Sequence, residues 1–420
     1  MKKKQDMADC VFDDASDFSE GLAWVRREGK SFCINKQGIN VFPTLRYDFA
    51  WPFSNGYAKI HNQGELFFLD ANGIAKYGKK PFKYASDFSE GVSFVLYEDE
   101  TTWYCVDKEF NELFAIDEYV PSSYAEGYAI VKREKSVTSE EIESNPNSYP
   151  KVYEYNYIDK KGHLLSDVWY AGAERFSEGF AIVTLICDWK DSEYSYNYID
   201  TQGHILYKGG NFRISDSFSG GLGAVSFEET IIDDEFVNPY KCYVDKYGEL
   251  VMPYKINSPT SFSFKKIIIK DEDFMISFKC YVGKYGEFVM PYKINSPISF
   301  KLRDNFVTSF QEGIALIRCK CEDGMDCHLI DHNGKVLYSF SRDEAYFGFG
   351  YQEGLAGLVN RTENEYRWYF VDINGKNIFG KFFDYINPFH EGMAIVEDND
   401  KSYFIDNNGN SLHITDCHTS

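Results

Sequence analysis

A four-residue signature recurs along the chain: an aromatic residue, any residue, usually Glu, and then Gly. It first occurs as Phe18-Ser19-Glu20-Gly21, and a small apolar stretch follows each copy. The glycines of the nine copies are Gly21, Gly56, Gly91, Gly127, Gly179, Gly221, Gly313, Gly354 and Gly392. Recurrence at a spacing of tens of residues indicates a tandem array, in which one supersecondary unit is copied and stacked.

A second signature lies downstream in every unit: an apolar residue, usually Asp, two further residues, and usually Gly. By our count it occurs ten times, first at Ile34 and last at Ile405. Its aspartates include Asp70, Asp159, Asp200, Asp331, Asp372 and Asp406. Asp bonds nearby backbone N–H groups and Gly adopts positive φ, so the pattern predicts a tight turn.

The segments between these turns predict strands. The stretch after Glu-Gly is short, apolar and partly alternating, as a half-buried strand is. Aromatic residues form 18% of the chain, which favours a pleated sheet. We therefore predict an all-β fold of about ten antiparallel repeats, each with three or four strands. One such meander is marginal in water, and stacking supplies the core.

The architecture of the array has two alternatives. Residues 11–15 resemble a last strand, and the chain ends soon after its final turn, so the N-terminal strand would complete the last unit of a β-propeller-like array. Ten blades exceed the usual four to eight, which keeps an open β-solenoid as the alternative. We place the array at residues 11–413, with tails at 1–10 and 414–420.

One segment of the array is duplicated. Residues 242–262 reappear at 280–300, and 18 of these 21 positions are identical. The copy near Phe262 has lost its Glu-Gly, and Gly283 replaces the usual Asp. We expect segment 242–300 to be the least regular part of the array.

The charge and composition restrict the partners. The formal net charge of −21 disfavours nucleic acid and anionic membranes, and it would serve solubility or attract a basic partner. No secretory signal and no apolar run of membrane-spanning length are found. The ten scattered cysteines then predict reduced thiols in a cytoplasmic protein.

The recurring Glu before Gly has two interpretations. In the first interpretation, the carboxylates line a functional channel or groove. They belong to Glu20, Glu90, Glu126, Glu178, Glu312, Glu353 and Glu391. In the other, which identical placement in each unit favours, Glu is a turn residue that bonds a neighbouring backbone N–H.

Three adjacent units carry insertions between their first and second strands. The extra residues include 135–151, 188–196 and 228–240. Loops on a rigid β scaffold are the usual place for function. Exposed aromatic residues anchor interfaces, so the candidate binding residues are Trp189, Tyr194, Phe236 and Tyr240. A tolerated insertion without function is the alternative.

No catalytic constellation can be argued from spacing, and no phosphate-binding loop or dinucleotide fingerprint is present. We therefore predict no catalytic residue and no cofactor. Cys319, Cys321 and Cys327 form a weak candidate for a metal site, with Cys327 expected opposite Cys321 in a hairpin. Buried or idle thiols explain these cysteines better.

The two signatures together resemble the WG-repeat family, also called KWG repeats, of bacterial proteins. The matching elements are the Phe-x-Glu-Gly-Leu/Tyr-Ala opening and the Ile-Asp-x-x-Gly turn, spread over residues 11–413. The Trp-Gly pair that names the family is absent, and Trp368-Tyr369-Phe370 stands at one such place. The resemblance implies a divergent member with a β-repeat architecture and a binding role.

We expect a non-enzymatic scaffold that binds a protein or peptide through the inserted loops. One alternative is a hydrolase or glycan-processing enzyme that uses acidic residues of the array. Another is a secreted factor directed at a host or competitor.

Overall fold

The computed structural model describes most of the chain, but not all of it. The described residues are 10–135, 152–185, 195–208, 214–227, 240–251, 263–271, 274–282, 288–289, 306–308, 310–321, 324–331, 335–341, 344, 348–361 and 365–415.

The first repeat shows how one unit is built. Strand β1 (Asp14–Ala15) enters the Glu-Gly turn, and β2 (Leu22–Arg27) and β3 (Lys30–Asn35) then form a central hairpin. Residues 28 and 29 make its tip with positive φ, as the tight hairpin turns that match strand twist require. After the Asp-x-x-Gly position the chain returns, and Tyr47 bridges to Ser31 at the sheet edge.

The other units repeat this plan. The strands up to residue 173 are β4 (Phe49–Ala50), β5 (Tyr57–Asn62), β6 (Glu65–Asp70), β7 (Ala75–Lys76), β8 (Phe82–Ala85), β9 (Val92–Tyr97), β10 (Trp103–Asp107), β11 (Glu112–Ile116), β12 (Val120–Ala125), β13 (Tyr128–Lys135), β14 (Val152–Asp159) and β15 (Gly172–Ala173). The next strands are β16 (Phe180–Leu185), β17 (Ser195–Asp200), β18 (Ile214–Ser215), β19 (Leu222–Phe227), β20 (Tyr240–Asp245), β21 (Leu250–Val251), β22 (Ser263–Asp271), β23 (Phe274–Val282) and β24 (Phe288–Val289). The remaining strands are β25 (Phe306–Val307), β26 (Ile314–Cys321), β27 (Gly324–Asp331), β28 (Val336–Phe340), β29 (Gly348–Gln352), β30 (Leu355–Arg361), β31 (Tyr366–Val371), β32 (Tyr385–Ile386), β33 (Met393–Asp398) and β34 (Lys401–Asp406).

The sheets confirm the predicted fold class. The described part of the chain contains strands and no helix, and the strand pairs are antiparallel. Most sheets have three or four strands in sequence order, such as β1-β2-β3 and β25-β26-β27-β28. The second and third repeats share one eight-stranded sheet, because Leu66 pairs with Phe82. Ten central hairpins are described, so the predicted number of about ten units holds.

Several central strands are buried more deeply than the sequence predicts, whereas β5 and β13 alternate as expected. Instead of alternating, Ala23, Trp24 and Val25 are buried in succession, and every residue of β9 is buried. Both faces of the first repeat's sheet are covered, because repeat 2 packs on one side and the last repeat on the other. Trp24 of repeat 1 stacks on Phe53 of repeat 2, with parallel rings 6.0 Å apart. The core therefore lies between repeats.

The chain divides into two compact units. Unit 1 comprises residues 1–176, 367–369 and 379–420, and unit 2 comprises residues 177–366 and 370–378. Within unit 1 repeats 1 to 4 are accompanied by the last repeat, which contains β32, β33 and β34.

The first and last repeats are neighbours within unit 1. The Phe12 N–H donates to the Ser402 carbonyl at 3.1 Å, and the Phe12 ring packs 5.0 Å from that of Phe404. The N-terminal segment thus completes the last repeat, as predicted. A contact between the first and last repeats is what the propeller-like alternative predicts.

The ordered array also extends beyond the predicted boundary at residue 413. Ile414 is buried in the core of the first and last repeats, and Thr415 bridges to Ile39. Residues 414 and 415 are therefore part of the fold rather than of a tail.

In unit 2, repeat 6 (β18 to β21) contacts repeat 8 (β25 to β28) directly. Elsewhere a tyrosine of one central hairpin packs on the aromatic residue of the next repeat's Glu-Gly turn, as Tyr198 does on Phe218 at 4.7 Å. Tyr243 of repeat 6 makes this contact with Phe310 of repeat 8, also at 4.7 Å. Its hydroxyl donates to the Thr308 carbonyl, as that of Tyr198 does to Asp216.

The hairpin of β22 and β23, from the duplicated segment, is therefore not interposed between repeats 6 and 8 at this contact. The duplication adds a hairpin to the chain without separating the two repeats that flank it. Much of segment 242–300 lies outside the described residues, and its expected irregularity stays a prediction.

Candidate functional site

The Glu-Gly turn is a tight turn in which both central residues have positive φ. In the first repeat φ is 56° at Glu20 and 80° at Gly21, and Ser19 and Leu22 exchange backbone hydrogen bonds. All nine signature glycines adopt positive φ, as their turn position requires. The glutamates share the left-handed conformation, which the sequence analysis did not predict.

The side chain of this Glu bonds the backbone of the next repeat. Glu391 accepts hydrogen bonds from the N–H groups of Glu20 at 2.7 Å and Gly21 at 2.9 Å. Equivalent bonds join Glu20 to Gly56, Glu90 to Gly127, Glu178 to Gly220 and Gly221, and Glu312 to Glu353 and Gly354. Asn55 replaces Glu in repeat 2 and accepts from Gly91.

A serine in the same turn adds a second bond in the same direction. The Ser19 hydroxyl donates to the Phe53 carbonyl of the next repeat at 2.7 Å. Ser54, Ser89 and Ser177 make the same bond to Phe88, Tyr124 and Phe218. These bonds support the structural interpretation of the recurring Glu, with one difference. The N–H groups that it binds belong to the next repeat, so the turns join successive repeats.

Two of these carboxylates also pair with lysines. Glu90 lies 2.8 Å from Lys160 and Glu391 lies 3.0 Å from Lys36. Burial raises the pKa of each carboxyl, but the lysine and the backbone N–H donors lower it more, so both pKa values fall below the ordinary value. Both groups are therefore anchored anions, which suits a structural role.

The Asp-x-x-Gly turn has the geometry that the sequence predicts. Asp406 Oδ1 accepts hydrogen bonds at 2.9 Å from the N–H groups of Asn408 and Asn410. Asp70, Asp159, Asp200 and Asp372 each bond two such N–H groups, and Asp331 bonds that of Lys335. Burial raises the pKa of Asp406, yet the donors outweigh it and the net pKa is lowered.

A pocket of about 470 Å³ lies in unit 1 where repeats 1, 2 and 10 meet. Its wall includes residues 14–19, which precede and enter the first Glu-Gly turn, and residues 49–52 of repeat 2. The last repeat contributes Asn387, His390 and Ile395. The polar residues just before the signature aromatic vary between repeats, and this variation is the sequence signal by which the pocket could have been found.

One contact in this pocket joins polar side chains of two repeats. His390 Nε2 lies 3.5 Å from Asp17 Oδ2, and the two side chains come from repeats 10 and 1. Burial raises the pKa of Asp17, and His390 partly offsets this effect. The pair therefore fixes two polar groups against each other across the junction of the repeats.

Unit 2 contains a second pocket of about 480 Å³. Residues 216–219 of repeat 6 form one wall, and Thr308, Gln311 and residues 348–350 form others. Residues 216–219 have the same position relative to their Glu-Gly turn as residues 16–19 have in repeat 1. Both pockets are thus bordered by the segment that enters a Glu-Gly turn.

The predicted binding residues lie mostly outside the described part of the chain. This holds for Trp189, Tyr194 and Phe236, whereas Tyr240 opens β20 and pairs with Phe227, without a described side chain. The three insertions do fall between the two strands of a central hairpin, namely β13 and β14, β16 and β17, and β19 and β20. Their role in binding stays a prediction.

The hairpin of β26 and β27 contradicts the expected cysteine arrangement. Cys327 pairs with Arg318, and Cys321 pairs with Gly324, so Cys327 is not opposite Cys321. Because side chains alternate along a strand, position 327 belongs to the other face from positions 319 and 321. Cys327 is buried, and the side chains of Cys319 and Cys321 lie outside the described ones. Among the described residues, no group of three metal-binding side chains is found.

Other cysteines also occupy buried strand positions. Cys33 and Cys105 are fully buried and free, and burial raises the pKa of the Cys105 thiol to about 12. Such thiols stay protonated and inert. Across the ranges that the structure describes, none forms a helix long and apolar enough to span a membrane.

These features define an all-β tandem-repeat protein whose antiparallel repeats are joined through their Glu-Gly turns. The WG-containing repeat family matches four segments of the chain, at residues 7–30, 32–62, 157–185 and 370–401. This confirms the family resemblance. A comparison with curated proteins finds no match.

Several solved structures resemble the chain at low identity. A prolyl endopeptidase shares 10% identity with a TM-score of 0.39, covering 94% of this chain, which spans only 50% of that enzyme. Kluyveromyces lactis Hsv2 shares 9% identity with a TM-score of 0.30, covering 86% of this chain and 96% of its own. Apo AztD from Citrobacter koseri shares 13% identity with a TM-score of 0.28, covering 95% and 87%. Likeness at this level carries no conclusion about function.

Proposed function

We propose that the chain is a non-enzymatic scaffold that binds a basic protein or peptide through the tips of three central hairpins. The observation that carries the proposal is the position of the insertions. The tips of repeats 1, 2 and 10 are the two-residue turns 28–29, 63–64 and 399–400. In repeats 4, 5 and 6 the same tip is replaced by residues 136–151, 186–194 and 228–239.

The sequence of these tips supports a basic partner. Residues 228–239 contain Glu228, Glu229, Asp233, Asp234 and Glu235, and no lysine or arginine. The other two insertions are also richer in acidic than in basic residues. Such segments attract a cationic partner and accelerate its association, most strongly at low ionic strength. Trp189, Tyr194, Phe236 and Tyr240 would supply aromatic anchors.

The bonds between repeats support a scaffold role. Glu-Gly turns are tied to one another within each unit, and strands such as β2 and β9 are buried on both faces. A rigid array of this kind fixes the strands that flank each insertion, which reduces the ordering cost of binding.

The same bonds disfavour an enzyme that uses the repeated carboxylates. Glu20, Glu90, Glu178, Glu312 and Glu391 bond backbone N–H groups of the next repeat. A general acid or nucleophile needs a carboxylate that faces the substrate. The absence of enzymatic activity is therefore part of the proposal, and a broad hydrolase screen tests it.

The scaffold proposal is tested by trimming the tips. We would replace residues 136–151, 186–194 and 228–239 by Asn-Gly turns, singly and together, and quantify partners recovered with the tagged chain from its native cells. A stoichiometric basic partner that is lost on trimming and released by salt is expected. Replacing Glu28-Gly29 by Asn-Gly is the matched control, which should change nothing. Unchanged recovery with all three tips trimmed contradicts the proposal.

A further inference from the structure

The unit 1 pocket contains polar groups that the protein itself does not use. Ser31 is only 5% exposed and lines the pocket, and within the described residues its hydroxyl has no hydrogen-bond partner. Trp24 is 3% exposed, and its Nε1–H likewise lacks a partner. Buried polar groups are nearly always paired, and among the described residues of this wall the Trp24 Nε1–H is the one fully buried group without a partner, which points to a site for an outside molecule.

Three further polar side chains in the pocket wall have no bonding partner among the described residues. The Asn387 carboxamide, the Asp14 carboxylate and the Arg26 guanidinium make no side-chain bond to the described part of the chain. Asp14 and Arg26 are paired across β1 and β2, so they share one face of the sheet. Together these three supply donors and acceptors on two sides of the pocket.

The charge of this set restricts the ligand. Among the groups without a partner, Asp14 is acidic, Arg26 is basic, and the others are neutral. Asp17 and His390 already contact each other. A phosphate would need an excess of basic groups, and a lysine-rich peptide an excess of acidic ones. The groups without a partner together have no net charge, which suits a neutral ligand with many donors and acceptors.

Aromatic surface lies beside these polar groups. Phe49 is 39% exposed at the pocket, and its ring meets that of Trp51 edge-on at 4.5 Å. A ring that offers apolar area next to fixed polar groups suits a molecule with both kinds of surface. The volume of about 470 Å³ is within the range of small-molecule sites, roughly 300–1,000 Å³.

We propose that the unit 1 pocket binds a neutral mono- or disaccharide. Its hydroxyl groups would bond Ser31, Asn387, Asp14 and Arg26, and its C–H face would pack on the exposed ring of Phe49. This site is separate from the hairpin tips, so either proposal can fail without the other.

The probes are glucose, galactose, mannose, N-acetylglucosamine, lactose, maltose and cellobiose, titrated into the full chain by calorimetry. Tryptophan fluorescence, to which Trp24 and Trp51 contribute among the six tryptophans of the chain, is recorded in parallel. At least one sugar is expected to bind. Asn387→Ala and Arg26→Ala should each weaken that binding by about three- to tenfold, the effect of losing one or two hydrogen bonds. Asn72→Ala, at an exposed asparagine outside the pocket, should leave it unchanged.

Arms with glycine, inorganic phosphate and a lysine-rich peptide distinguish other ligand classes. The proposal is overturned if no sugar binds, or if sugar binding is insensitive to Asn387→Ala and Arg26→Ala. It is equally overturned if glycine, phosphate or the peptide binds instead with that sensitivity. Far-ultraviolet circular dichroism of each variant shows that the fold is retained.

Discussion

The carboxylate of Glu391 binds the backbone N–H of Glu20 at 2.7 Å, although 371 residues separate them in sequence. Glu391 also bonds Gly21 and pairs with Lys36, so one side chain holds the last repeat against the first. The same bond recurs between neighbouring repeats elsewhere in unit 1, with separations such as 36 residues from Glu20 to Gly56.

Glu391→Ala should loosen the junction of the first and last repeats. The variant leaves two N–H groups without their acceptor, which costs about 1–2 kcal/mol for a charged partner at the surface. We expect a lower urea midpoint and faster hydrogen exchange at residues 20 and 21. Glu109→Ala is the control, because Glu109 is exposed and its carboxylate bonds no described residue. Equal stability of the two variants would contradict the role of Glu391.

Gly38→Ala should be far more harmful than Gly29→Ala in the same repeat. Both glycines have positive φ, but a Cβ at Gly38 would lie 1.9 Å from the backbone oxygen of His413, whereas one at Gly29 meets nothing within 4 Å. We expect Gly29→Ala to cost about 1 kcal/mol from backbone strain alone. Gly38→Ala should cost at least about 3 kcal/mol, because backbone must move. Thermal unfolding of both variants checks this, and similar melting temperatures would refute it.

Deleting residues 263–300 should leave the fold intact. The deletion removes the β22 and β23 hairpin with one copy of the duplicated segment, and it retains the copy at 242–262. Because Tyr243 already contacts Phe310, repeats 6 and 8 need no intervening hairpin. We expect a melting temperature within a few degrees of that of the full chain.

A matched deletion gives the comparison for that experiment. Removing residues 172–213, which form repeat 5, takes out Tyr198 and its contact with Phe218. This variant should unfold at a much lower temperature or fail to fold. If both deletions are equally destabilising, the hairpin of β22 and β23 does contribute to the stack.

Acid should destabilise the repeats through their turn carboxylates. The net pKa is lowered in four turn carboxyls, those of Glu391, Glu90, Asp159 and Asp406. Burial by itself raises each pKa, but hydrogen bonds from N–H groups, together with a lysine beside each of the two glutamates, lower it by a larger amount. A lowered folded-state pKa means that these groups stabilise the fold fully above their unfolded values, about pH 4. This contribution is lost as the pH falls through the folded-state values.

Urea unfolding at pH 6, 4 and 3 and constant ionic strength measures that loss. Asp159→Asn keeps an acceptor for Lys161 and His163 but cannot be protonated in this range. The variant should therefore lose less stability than the parent between pH 6 and pH 3. An identical pH dependence would show that Asp159 does not contribute.

The sequence by itself determined the local structure of each repeat. The positive φ of Gly21, the Asp406 turn and the strands on either side depend on a few consecutive residues. Backbone sterics and short-range hydrogen bonds act within that window, so the pattern revealed them. The number of hairpins and the position of the insertions followed from the same local signals.

Only the tertiary structure decided which repeats are neighbours. The bonds of Glu391 to repeat 1, the contact of Tyr243 with Phe310 and the pocket shared by Ser31 and Asn387 all join residues far apart in sequence. Local propensity is the same in every repeat and does not distinguish one neighbour from another. Packing does distinguish them, because the hairpin of repeat 1 buries both its faces only when repeats 2 and 10 lie against it.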